Sequence, residues 1–256
     1  MGNLTRVRAY LQYWFQAKNA HGIHSPFVFD FYQHVWKSTV PPVLDPEIER
    51  LRRELIQDHS TLSVTDLGAG SNRTPGRLRK VSDIARFSSK SPFWVQRILR
   101  ILQHYSYTRV LDLGSSLGLT TSYLARHAQV VSVEGCPNIG KKALANWKRL
   151  GLEVDFVEGN LDNVLPALLN SMLPFDLILL DANHRYEPTI RYVQDLLNHL
   201  PPHGCLILDD IHWSREMDQA WSEIIQDPRV SVSIDVFEMG ILFKRPQQTK
   251  QHFILR

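Results

Sequence analysis

Cysteine is scarce in this chain of 256 residues. Cys136 and Cys205 stand far apart, without the close pairing of a metal knuckle, which excludes a disulfide framework and a zinc ribbon. Long apolar runs are missing as well. None approaches the roughly 20 residues of a bilayer-crossing helix, and the opening MGNLTRVRAYLQYWFQ lacks the unbroken core of a secretory signal. No membrane span and a cytoplasmic location are therefore expected. Charge of one sign is not in excess: 29 Lys and Arg face 26 Asp and Glu, a net +3. The basic stretches Arg73–Lys80 and Lys141–Arg149 come without a nucleic-acid-binding motif, so solvated faces explain them better than a nucleic-acid partner. With 43% hydrophobic residues, the chain suffices for one sizeable α/β domain and an appendage.

The richest stretch is Val110–Ala125, VLDLGSSLGLTTSYLA. An apolar strand pattern runs through Asp112 into a turn holding Gly114, Ser115, Ser116 and Gly118, and a helical pattern follows. Glycines there allow the backbone to approach a ligand. About twenty residues on, the apolar run Val130–Val133 ends in Glu134, an acid placed to accept hydrogen bonds from a ribose diol. The spacing D-x-G-x-x-x-G is not the dinucleotide fingerprint G-x-G-x-x-G, which seats a pyrophosphate. A phosphate-free, cationic nucleoside such as S-adenosylmethionine suits a turn carrying Asp112 better than NAD does.

Strand patterns at Val110–Leu113, Val130–Val133, Val154–Glu158, Asp176–Leu180 and Cys205–Leu208 alternate with helical segments, the mark of a parallel α/β sheet. Val230–Phe237 and Gly240–Lys244 are joined too tightly for a crossover and should pair antiparallel. The first hundred residues differ, being aromatic-rich and mostly helical in period. PEIERLRRELIQ begins with Pro46 and spaces Ile48, Leu51 and Leu55 as one helix face. A second glycine turn, Asp66–Ser71, competes with the first for the cofactor role, but helical patterns without strand alternation follow it. It reads as a loop of this helical cap, with a place facing the active site as the open alternative. Tyr13, Trp14, Phe27 and Phe29 either line an acceptor pocket or pack the cap's own core.

Acids also end the fourth and fifth strands: Asp181 in LLDANHRYEPT, and Asp209 with Asp210 in LILDDIHW. Ligands of open α/β sheets bind beyond the carboxyl ends of the strands, where three converging carboxylates call for a compensating charge. Oxygen-only ligands suit magnesium, calcium or manganese. The alternative is that Asp181 simply ends its strand and one of the others caps a helix. His184, three residues past Asp181, is the candidate general base, with a hydrogen-bonded structural role as the rival. His212 either orients a ligand or caps the next helix.

Together VLDLGSSLGLTTSYLA, VVSVEG, VDFVEGN, LLDANHRYEPT and LILDDIHWS resemble the class I S-adenosylmethionine-dependent methyltransferases, in particular the metal-dependent O-methyltransferase branch. The likeness covers about residues 105–245. It implies a Rossmann-like, mostly parallel sheet with a C-terminal antiparallel hairpin, residues 105–256, behind an N-terminal helical cap or lid on the substrate side, residues 1–104. It assigns Asp112, Gly114, Ser115, Ser116, Gly118, Glu134, Asn160 and Asp181 to the cofactor. Asp181, Asp209 and Asp210 would hold Mg2+, and His184 stands where the catechol-type enzymes have a lysine nearby. The N-terminal HGIHSPFVFD and TDLGAGS resemble those of uncharacterised bacterial proteins with the same layout. Methylation of an oxygen on a small-molecule acceptor is the expected reaction. Homo-oligomerisation stays open, and a metal-using oxidative enzyme on this fold or a non-catalytic binding module are the rivals.

Overall fold

The computed structural model describes residues 2–40, 42–68 and 76–256, with side chains of the first helix from Arg6 onward. Of the second glycine turn, Ala69–Ser71 lie outside the described residues, as do Arg73–Pro75 of the first basic stretch. The main-sheet strands are β1 (Arg109–Leu113), β2 (Gln129–Glu134), β3 (Asp155–Glu158), β4 (Leu177–Leu180), β5 (Cys205–Asp209), β6 (Val232–Asp235), β7 (Met239–Phe243) and β8 (Gln251–Ile254). Their order is β8-β6-β7-β5-β4-β1-β2-β3, the mostly parallel sheet that the strand patterns predict. The chain divides into two units: residues 39–165, and residues 1–38 with 166–256.

In the 39–165 unit, β1 pairs parallel with β2 and β2 with β3, Asp112 lying opposite Ser132 and Glu134 opposite Glu158. Parallel strands covered on both faces need continuous apolar runs, and Val110, Leu111, Leu113, Val130, Val131 and Val133 are all buried. The expected helix at Pro46 forms over Pro46–Gln57. Pro46 takes the first turn, where a missing N–H costs nothing, and the Asp45 carboxylate accepts from the Glu47 and Ile48 N–H groups. Ile48, Leu51 and Leu55 are its buried face. A short antiparallel pair, Thr61–Ser63 with Leu78–Lys80, was not apparent from sequence.

In the other unit, β4 and β5 are parallel, while β7 runs antiparallel to both β5 and β6. This is the expected hairpin, with β6 trimmed to Val232–Asp235 because the chain turns over at Phe237, whose φ is +69°. Sequence patterning missed β8, which lies parallel to β6. The segment beyond β8 meets the first helix, Gly2–Gln16: Lys18 bridges to Leu255, and the Tyr13 hydroxyl donates to the Leu255 carbonyl. Residues 1–38 therefore belong with 166–256, and the remainder of the N-terminal hundred with 105–165. No helix among the described residues is long and apolar enough to cross a membrane.

Candidate functional site

The glycine turn grows directly out of β1. Gly114 and Gly118 have φ of +100° and +77°, and Ser116 between them is also left-handed at +50°. The Gly114 N–H donates to the Val133 carbonyl at 2.9 Å, fixing the turn to β2. Asp112 is only 3% exposed, and its Oδ2 accepts the Thr121 hydroxyl proton at 2.6 Å. Thr121 is a polar residue facing inward near the start of the Leu119–Ala125 helix. Its place nine residues after Asp112 was the available signal for this pair.

Glu134 is oriented by two backbone donors. Its Oε2 accepts from the Ser116 N–H and its Oε1 from the Cys136 N–H, both at 2.9 Å. These donors set the plane of a carboxylate that offers about four acceptor positions. The Gly159 N–H donates to the Glu134 carbonyl at 3.0 Å, which brings Asn160 to the end of the neighbouring strand. The Asn160 side chain itself accepts from the Asp162 N–H at 3.1 Å, opening the Leu161–Ser171 helix.

Gly118 is bare for a reason other than ligand approach. A Cβ there would stand 2.5 Å from the Trp147 indole nitrogen, which donates to the Gly118 carbonyl at 3.0 Å. Asn146 donates likewise to the Leu117 carbonyl at 2.9 Å, so the Pro137–Arg149 helix clamps the back of the turn. These two residues were not picked out from sequence. The residues that fit a nucleoside without phosphate are at the front. The Ser115 hydroxyl is buried with no hydrogen-bond partner among the described residues, and the acids Asp112 and Glu134 flank it in sequence on strands joined in register. Such a donor and acceptor set suits a diol and a cation, whereas a pyrophosphate would meet two carboxylates.

The second cluster belongs to the loops after β4 and β5. Asn183, His184 and Asp210 all have left-handed backbones, with φ of +72°, +46° and +54°. Left-handed residues other than glycine gather at working sites when their surroundings enforce them. His184 Nε2 stands 3.4 Å from Asp181 Oδ1. Burial disfavours the charged imidazole, but Asp181, through its bond and its charge, and then Asp210 and Asp209 more than offset this and raise the His184 pKa. Asn183 donates to the Tyr192 hydroxyl at 3.3 Å while its own amide oxygen is buried without a partner among the described residues. That orphan acceptor is a feature no sequence pattern signals.

Asp181, Asp209 and Asp210 do not assemble as the expected metal set. Among the described residues no group of three or more His, Cys, Asp or Glu side chains is arranged to hold a metal ion. The Asp210 N–H donates to the Glu238 carbonyl at 2.7 Å in its left-handed turn, and all three acids act by charge on His184.

His212 neither caps the next helix nor stands open. Ser214 is the cap, its Oγ accepting from the Met217 N–H. His212 instead bridges two carboxylates, Nδ1 to Asp218 at 2.6 Å and Nε2 to Asp235 at 2.8 Å, and stacks on Phe237. Burial alone would lower its pKa, but the two acids push it up to about 9. Of the aromatic residues in the N-terminal segment, Tyr13 packs on Phe237 and Phe27 edge-on against Phe243. Trp14 and Phe29 are exposed, with Arg256 over the Trp14 ring.

Residues 111–211 match the family described as a methyltransferase domain. No curated protein matches the chain. Among solved structures, an O-methyltransferase from Bacillus cereus in complex with SAH is 18% identical, with a TM-score of 0.59 over 82% of this chain and 96% of that one. The cofactor-bound Rv0187 from MTB is 18% identical at a TM-score of 0.60, over 90% and 99% of the two chains. TomG from Streptomyces achromogenes, an O-methyltransferase of tomaymycin synthesis in complex with SAM, is 15% identical at 0.57, over 83% and 95%. Residues 111–211 thus match a methyltransferase domain, and the chain shares its fold with these O-methyltransferase structures.

Proposed function

We propose that this protein methylates an oxygen of a small-molecule acceptor with S-adenosylmethionine as methyl donor. The observation that carries the reading is the Glu134 carboxylate, aimed by the Ser116 and Cys136 N–H groups beside the partnerless Ser115 hydroxyl. S-adenosylmethionine, when bound, supplies an electrophilic methyl group on a sulfonium. Glu134 would accept the ribose hydroxyls, and Ser115 would gain the partner it lacks among the described residues. Gly114 and Ser116 give the ligand a backbone surface, and Asn160 borders the adenine. Asp112, buried and bonded to Thr121, favours a cation by its charge rather than by contact.

On the acceptor side His184 takes the hydroxyl proton. With Nε2–H directed at Asp181, Nδ1 is the accepting atom. The three acids make His184 a stronger base, and the same effect leaves it protonated to a higher pH than an ordinary histidine. Activity should therefore rise with pH as the imidazolium is lost. Most of the rate would come from alignment of the acceptor oxygen with the methyl group. The finer expectation of Mg2+ at Asp181, Asp209 and Asp210 has no support in their arrangement.

Calorimetric titration of the cofactor-free protein with S-adenosylhomocysteine tests the reading, followed by labelled methyl transfer to a panel of phenols, catechols and sugars. Micromolar binding lost in Glu134→Ala supports it. Absence of binding overturns it.

A further inference from the structure

The second glycine motif is unused by the cofactor turn, yet its described part, Thr65–Gly68, is built onto the strand end that carries Glu134. The Thr65 N–H donates to the Cys136 sulfur at 3.3 Å, and the Cys136 thiol in turn points to the Ser63 carbonyl at 3.8 Å. Asn138 donates to the same carbonyl at 2.8 Å. Asp66 fastens the loop from within, accepting from the Gly68 N–H at 3.2 Å and from Arg79 at 2.7 Å. Its carboxylate is spent on holding the loop, which is why an acid stands there without a part in the chemistry.

The consequence is the placement of Leu67. A Cβ added to Gly135, the residue after Glu134, would meet Leu67 Cδ1 at 2.5 Å and the Gly159 carbonyl at 3.6 Å. Leu67 therefore closes on the end of β2, against the residue that follows the acid assigned to the ribose. It remains 42% exposed. A leucine brought into van der Waals contact on one side and left open on the other is an apolar half-surface. A flat purine face completes such a surface, as the carboxylate beside it completes a ribose diol.

We infer that Ser63–Leu67 forms a wall of the adenosine subsite, with Leu67 as the residue that positions the purine nucleoside. The inference rests on the S-adenosylmethionine reading above. Cys136 and Asn138 are positioning residues for this wall, and Gly135 is glycine so that Leu67 can close on it. The short strand pair Thr61–Ser63 and Leu78–Lys80 adjoins the wall.

The test is calorimetry on the full chain with two probes, S-adenosylhomocysteine and adenosine. Leu67→Ala should weaken both by the same factor, about tenfold for a leucine side chain partly buried by ligand. Leu67→Met should stay within about threefold of the parent, since it restores the apolar volume. Leu78→Ala, removing an exposed leucine of the same strand pair, should change neither. Gly135→Ala drives Leu67 off without removing it, so it should weaken binding too, and the double variant should be no weaker than Leu67→Ala alone. Equal affinity in Leu67→Ala, additive losses in the double variant, or a loss for S-adenosylhomocysteine without one for adenosine would each overturn the wall. Failure of the parent protein to bind either probe would instead overturn the cofactor reading itself, and the wall with it.

Discussion

Two sets of strand-ending acids are held in this protein by opposite means. Asp112 accepts from a threonine hydroxyl and Glu134 from two backbone N–H groups, all neutral donors. Asp181 lies against the His184 imidazole, on which Asp210 and Asp209 act by charge, and Asp235 with Asp218 bridges His212. Neutral donors orient a carboxylate without neutralising it. An imidazole balances the charge internally and makes it depend on pH. The first arrangement suits a site that must hold a cation and a diol under any ordinary condition, and the second suits proton traffic or pH-dependent cohesion.

The sharpest way to break the neutral-donor side is Gly118→Ala. The substitution places a Cβ against Trp147 at a φ of +77°, and overpacking with left-handed strain should cost about 4 kcal/mol of unfolding free energy in urea titration. A cost under about 1 kcal/mol would mean that the Trp147 clamp is soft. The imidazole side is tested by His212→Gln across pH. Because the folded pKa is raised from 6.5 to about 9, the stabilisation is fully present below pH 6.5 and disappears as pH rises through about 9. It should reach about 3 kcal/mol at the acid end, and a parent-to-variant difference that is flat with pH would remove the charged bridge. Glu134→Ala comes next, with about 2 kcal/mol of S-adenosylhomocysteine affinity lost, roughly thirtyfold. Glu134→Gln, which keeps an acceptor oxygen, should recover part of it. The smallest effect is reserved for magnesium: its titration should alter methyl transfer by less than about twofold, some 0.4 kcal/mol. A saturable heat of Mg2+ binding abolished by Asp181→Asn would show that the second set of acids takes a metal after all.

β1, β2, β4 and β5 were legible because buried parallel strands write themselves as apolar runs, and the acids at their ends stand out against those runs. The less buried edge strand β3 was legible from its place in the alternation with helices. Glu134 was legible as the end of one such run, about twenty residues past the first. Gly118 was legible as a glycine but not for its reason, since Trp147 lies 29 residues away on another helix. Patterning reports which residues share a face of one element, and it is blind to partners met across the fold. His212 shows this with Asp235, 23 residues off, and Cys136 with Thr65, 71 residues off. β8 escaped for a different cause: four residues, QHFI, are too few to establish a period, and their pairing with β6 is decided by the tertiary fold.

The bridge between Lys18 and Leu255 also sets an order in time. A chain emerging from the ribosome at about 5–20 residues per second has residues 39–165 available as a set while the first helix still lacks its partner strand. Residues 1–38 wait for residues 251–255, roughly 10–40 s of synthesis at that pace. During that interval Tyr13, Phe27 and Phe31, all destined to be packed against late-made strands, are uncovered together. Slowing translation through the codons for residues 166–255 should lengthen that exposure.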